Sequence, residues 1–206
     1  MKIRAVLLMV LTALASCASR PPAASQEIFD ESDASTLLVV AKPTVFARER
    51  SDLAAHARDY ATVVAVEVDI SGEYSDYLLV YRWSTVDRRM LPPPDPAGGA
   101  MRIVADGRVF DFKPVDKLPV NFAQRRELHM PKHDDVVPRG YKVNAETLHF
   151  IATSEDLALR MPQEPLDVPF KMFEDGRRAL LEFLKPAFAP SPSGTPPAAT
   201  GPPPPR

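Results

Sequence analysis

The chain has 206 residues, 45% of them apolar and 25% charged, with a formal net charge of −2. That composition is ordinary for a globular protein, and the missing basic excess excludes the electrostatic footprint of a nucleic-acid binder. The one cysteine, Cys17, excludes an intramolecular disulfide and leaves no second thiol for a metal site.

Taken in order, the chain starts with Lys2 and Arg4, then an apolar run from Ala5 to Ala15 broken only by Thr12. A charged start, a short apolar run and small residues at its end make a secretory leader. The run falls short of the roughly 20 residues that span a bilayer. Leu14-Ala15-Ser16-Cys17 resembles the lipobox of bacterial lipoproteins. The resemblance covers only these first seventeen residues. It implies cleavage between Ser16 and Cys17, a diacylglyceryl group on the Cys17 sulfur and acylation of the new amino group. One acyl chain binds a membrane marginally, whereas two or three hold it firmly. Ala18 rather than Asp follows the cysteine, which by the same resemblance to Gram-negative sorting implies the outer membrane, facing the periplasm. The competing reading is an ordinary secreted chain with an incidental cysteine.

The expected organisation is a leader over 1–16, a flexible tether over 17–35, one domain over 36–188 and a Pro-rich tail over 189–206. The tether is rich in Ala, Ser and Pro. Leu37–Ala41 reads as a buried strand, with Thr44–Phe46 continuing it past Pro43. Ser51–Arg58 reads as one or two helical turns capped by Ser51.

Two hairpins follow. Thr62–Ile70 and Tyr74–Thr85 alternate around Ser71-Gly72. A two-residue turn pairs Ile70 with Glu73, Val66 with Tyr77 and Val64 with Leu79, so both apolar sets share a face. Leu91–Ala100 is a Pro- and Gly-rich loop. Met101–Phe112 is a second hairpin around Asp106-Gly107, pairing Ala105 with Arg108, Ile103 with Phe110 and Met101 with Phe112. Lys113–Arg139 is expected to hold a short strand near Leu118–Phe122 and then an exposed excursion. Tyr141–Val143 reads as a strand, and Asn144 caps a helix over 145–153. Leu157–Met161 and Val168–Met172 read as two more strands. Asp175 opens a last helix to about Lys185, with Pro186 just past its end. Residues 189–206 carry eight prolines and favour polyproline II.

These elements predict an α+β fold: a mainly antiparallel β-sheet of about six to eight strands, built from hairpins, with a C-terminal helix packed on it. A β-sandwich or barrel with peripheral helices is the competing arrangement.

Chemistry is sparse. The sequence has no P-loop, Gly-x-Gly-x-x-Gly, His-Glu-x-x-His, Gly-x-Ser-x-Gly or Ser-x-x-Lys. His129, His133, Asp134 and Asp135 are weak metal candidates, since Pro131 lies between the histidines and Lys132 repels a cation. Tyr77, Tyr81 and Trp83 form an aromatic stripe that either packs in the core or makes a binding surface for a sugar or protein. No cofactor is expected. The expected partners are the membrane, through lipid on Cys17, and envelope proteins or the cell wall. A non-catalytic interaction or assembly module is the first functional reading. A small-ligand carrier or sensor stands second, and an envelope hydrolase third.

Overall fold

The structure, a computed structural model, describes residues 25–31, 34–86, 99–120, 122, 128, 136, 138–162 and 168–188. Ser16, Cys17, His129, His133, Asp134 and Asp135 lie outside the described residues, as does most of the Leu91–Ala100 loop.

Ten strands form one sheet among the described residues. They are β1 (Ser25–Asp30), β2 (Ser35–Val40), β3 (Thr44–Glu49), β4 (Arg58–Ile70), β5 (Glu73–Ser84), β6 (Met101–Ala105), β7 (Arg108–Phe112), β8 (Arg139–Val143), β9 (Leu157–Arg160) and β10 (Phe170–Glu174). Two helices, α1 (Ala145–Thr153) and α2 (Arg177–Phe188), complete the fold. The pairings are antiparallel throughout. This is the expected hairpin-built sheet with a C-terminal helix.

Both hairpin registers agree with the alternation in the sequence. Val66 faces Tyr77, Val64 faces Leu79, Ile103 faces Phe110 and Met101 faces Phe112. Ser71, Gly72, Asp106 and Gly107 all have positive φ, the conformation of a two-residue turn whose twist matches that of its strands. The Asp69 carboxylate accepts from the Gly72 amide at 2.7 Å, and the Asp106 carboxylate accepts from the Glu155 and Asp156 amides at 2.9 and 2.8 Å.

The sheet closes on itself. Strand β4 is 13 residues long and pairs along one edge with β5; its other edge takes β2 at one end and β3 at the other. From β3 the ladder runs through β10, β9 and β6 to β7. From β5 it runs to β8. Just past β7, Pro114 bridges to Tyr141 of β8, and the Val115 amide donates to the Gly140 carbonyl at 2.9 Å. Eight strands therefore form a ring, with β1 and β2 as a flap on β4. Closure removes the exposed edges that an open sheet must protect.

The register sorts side chains into two faces. Phe46, Ala61, Val63, Leu78, Ile103, Leu159, Phe170 and Tyr141 point into the ring and are buried. Helices α1 and α2 pack on each other at one end of the ring. They contribute Leu148, Ile151, Leu180, Phe183 and Leu184 to the core. Asn144 caps α1 by accepting from the Thr147 amide at 2.8 Å. Asp175 accepts from the Arg177 amide at 2.9 Å and starts α2. Gly176 lies so close to Pro43 that a Cβ there would stand 2.5 Å from the Pro43 carbonyl oxygen.

Several expectations need correction. The tether is shorter than 17–35: Ser25–Asp30 forms β1, paired with β2 from Ser25–Val40 to Asp30–Ser35. This edge strand is polar and half-exposed, so it has no apolar run to betray it. Leu37–Phe46 is two strands, not one. Ser51–Ala57 is a turn rather than a helix, closed by the Arg50 amide donating to the Ala57 carbonyl at 2.8 Å, with His56 at φ 64°. Within the expected excursion, the described residues Val120, Phe122, Leu128 and Val136 are buried rather than exposed. Leu118 stands over Gly140 on the outer face of the β5–β8 ladder. Residues 118–120 are not strand. Pro186 lies inside the last turn of α2, where its missing N–H removes a single i→i−4 hydrogen bond.

Candidate aromatic groove

Strands β3, β4, β5 and β10 lie side by side, and their outward residues meet on one surface. The ladder places Lys171 against Ala47, Ala47 against Tyr60 and Tyr60 against Trp83. Ala47 is small, so a notch opens between the larger side chains on its two sides. The Tyr60 and Trp83 rings stack at 4.0 Å between centroids, with planes 10° apart. Phe173 closes on the edge of Tyr60 at 5.4 Å, near perpendicular. Both arrangements match the quadrupole preference of aromatic pairs.

Period-two alternation puts Phe173 on the same outward face as Lys171. Met172 pairs with Phe46, yet Glu174 pairs with Val45, so β10 carries one extra residue there. Such a bulge bends the strand and increases its local twist. Phe170, on the regular part of β10, is fully buried, whereas Phe173 is 50% exposed.

The resulting groove has a volume of about 430 Å³. Ala47, Arg48, Glu49, Arg58, Val168, Pro169, Lys171, Met172 and Phe173 line it, and the Tyr60–Trp83 stack lies beside it, behind Phe173. The Arg58 guanidinium lies 5.7 Å from the Phe173 ring centroid and 3.8 Å from the Glu49 carboxylate. The surface therefore offers one exposed aromatic face, that of Phe173, and an apolar wall among four charged side chains.

Below the groove, on the ring's inner face, Arg48 and Asp59 form a buried pair. Arg48 Nε and Nη2 donate to Asp59 Oδ2 at 3.1 and 2.8 Å, and Arg50 Nη1 donates to the same oxygen at 2.9 Å. The Arg48 guanidinium also stands 4.3 Å from the Phe170 ring centroid. Burial pushes the Asp59 carboxyl up, but hydrogen bonds from Arg48, Ser84 and Arg50 outweigh it and hold it below the usual carboxylate range. This network pins the strands that carry the groove, β3 and β4.

Of the expected aromatic stripe, Tyr77 and Tyr81 are buried in the core. Trp83 alone is half-buried at the surface, where it borders the groove through Tyr60. Sequence reasoning missed Tyr60 and Phe173, which pair across strands far apart in the chain. His56 sits in the β3–β4 turn. His149 sits on α1, with its ring 5.1 Å from that of Phe188. The interior void between the ring and the helices, lined by Phe46, Val63, Leu78, Ile151 and Leu180, measures about 30 Å³, room for about one water. Comparison of the chain with protein-family models, curated proteins and solved structures finds no match.

Proposed function

We propose that this chain is a lipid-anchored envelope protein, held by acyl groups on Cys17 at the outer membrane and facing the periplasm. On this reading its body is a non-catalytic interaction module. The observation that carries the module reading is the groove beside Phe173, walled by Ala47, Val168, Pro169 and Met172. It sets a half-exposed phenylalanine beside a floor residue small enough to leave space. An aromatic side chain and arginines beside a notch are the kind of group that dominates a protein-binding surface. The carrier reading places its cavity between sheet and helix, where the space is about 30 Å³, room for about one water.

The test is photo-crosslinking in intact envelopes, with a photoreactive amino acid at position 173 and, as control, at Val109, which is also 50% exposed but lies on β7. The module reading predicts a defined envelope protein captured from position 173 and not from position 109. Equal capture from both, or links confined to the chain itself, would contradict it.

A further inference from the structure

The charges around the groove do not balance. Arg48 beneath it is engaged inward by Asp59. Lys171 is exposed, and the ladder sets it between Ala47 of β3 and Ala158 of β9. Neither neighbour can take its charge, and Lys171 makes no ion pair among the described residues. The only carboxylate beside Arg58 among those residues is Glu49. It stands 3.8 Å away, too far for a hydrogen bond, and its side chain is 74% exposed. An exposed pair of this kind contributes little.

Arg160 adds a third cation. It lies on β9 two residues from Ala158, and so on the same face as Lys171. Opposite Arg160, Arg102 is held by Asp111 through bonds of 2.7 and 3.1 Å, which ends the stripe. Arg58, Lys171 and Arg160 therefore share this face with one carboxylate, Glu49, although the chain's formal net charge is −2. The stripe crosses β4, β3, β10 and β9, three strand spacings or about 14 Å, which about five residues of extended chain cover. Within it the floor falls away at Ala47, and Phe173, Val168 and Pro169 wall the hollow. That shape takes one apolar side chain, whereas a flat lipid surface would leave it empty.

We propose that this face docks an acidic segment of an envelope partner, with its carboxylates against Arg58, Lys171 and Arg160 and one apolar side chain in the hollow over Ala47 beside Phe173. This rests on the reading of the groove as an interaction surface and names the chemistry of what binds there. The exposed charges select and steer the partner, and the apolar side chain supplies the burial.

The probes are three fluorescent peptides of one length, each with a central leucine flanked by glutamate, glutamine or lysine. They are titrated into the full chain in detergent and read by anisotropy. The glutamate peptide should bind saturably, about fivefold or more tighter than the glutamine peptide, with the lysine peptide weaker still. Raising the salt to about 0.5 M should erase the difference, because exposed charges are screened. Lys171→Gln should weaken the glutamate peptide about threefold and leave the glutamine peptide unchanged. That is a contrast between two peptides on one variant, so loss of the fold cannot imitate it. Lys142→Gln makes the same change of net charge on β8 and should alter neither. Equal binding of the glutamate and glutamine peptides, or none, would overturn the proposal. So would a loss shared by both peptides in Lys171→Gln, or an equal effect of Lys142→Gln. Phosphatidylglycerol added to the micelles should not displace the glutamate peptide; displacement would assign the face to anionic lipid and overturn the proposal. Capture of an envelope protein from position 173 is read without these peptides, so the two readings fail separately.

Discussion

Arg48 and Asp59 meet inside the ring with N–O distances of 2.8 and 3.1 Å, and their side chains are only 4% and 10% exposed. Arg50 shares the same carboxylate oxygen. Removing one partner of such a pair is strongly unfavourable, and here it takes from Arg48 and Arg50 the carboxylate oxygen they share, while Arg50 keeps Asp52. Asp59→Asn is expected to cost about 3–5 kcal/mol in a urea unfolding titration. Because the folded carboxyl titrates below its unfolded value, this stabilisation is present above the unfolded value near pH 4 and disappears as pH falls through the folded one. The variant's curve should therefore flatten at acid pH relative to the parent.

Glu67 and Asp76 carry the opposite sign. They face each other across β4 and β5. Burial, then Asp76 and Asp69, push the Glu67 carboxyl up, and burial pushes Asp76 up. A carboxyl raised on folding contributes stability below its unfolded value and loses it as pH rises through the folded one. Like charges directly opposite on a sheet are unfavourable by a few tenths to about 1 kcal/mol. Glu67→Gln should raise the midpoint of urea unfolding at pH 7 and bring no gain at pH 3.

Two glycines separate rigid from yielding contacts. A Cβ at Gly176 would meet the Pro43 carbonyl oxygen and carbon at 2.5 and 2.6 Å and the Lys42 oxygen at 2.8 Å, all backbone atoms. A Cβ at Gly140 would chiefly meet the end of the Leu118 side chain, which can rotate away. Gly176→Ala is expected to cost about 1–3 kcal/mol, the usual range for overpacking. Gly140→Ala should cost less. Thermal unfolding of both variants ranks them.

Strand β10 makes a similar contrast over three residues. Phe170 is fully buried and Phe173 half-exposed. Phe170→Ala should lower stability by about 3–5 kcal/mol, while Phe173→Ala should stay within about 1 kcal/mol, as expected for a surface change that removes one edge contact. Chemical denaturation of the two variants measures the difference.

The sequence carried the local structure in its alternation and turn residues. Ser71-Gly72 and Asp106-Gly107 set two registers, and Asn144 marked the start of α1. Relations between distant segments left no local mark. The Pro114–Tyr141 bridge that closes the ring joins residues with no shared pattern. Burial of Val120, Phe122, Leu128 and Val136 within a proline-broken stretch has no period to read. The groove itself was not legible: Trp83 stood out as the only tryptophan, but Tyr60 meets it by cross-strand pairing and Phe173 meets Tyr60 from β10, a strand far along the chain. The alternation that placed Tyr77 and Tyr81 on one face with Trp83 could not show that β5 is covered on both faces. Leu78 and Val80 are buried from inside the ring, Tyr77 and Tyr81 from outside.

The most direct measurement is incorporation of radiolabelled palmitate together with membrane fractionation, for the full chain and for Cys17→Ala. Lipid anchoring through Cys17 predicts label in the full chain and its recovery with the outer membrane, and predicts an unlabelled, released Cys17→Ala variant. An unlabelled full chain, or a Cys17→Ala variant that stays with the membrane, would contradict it.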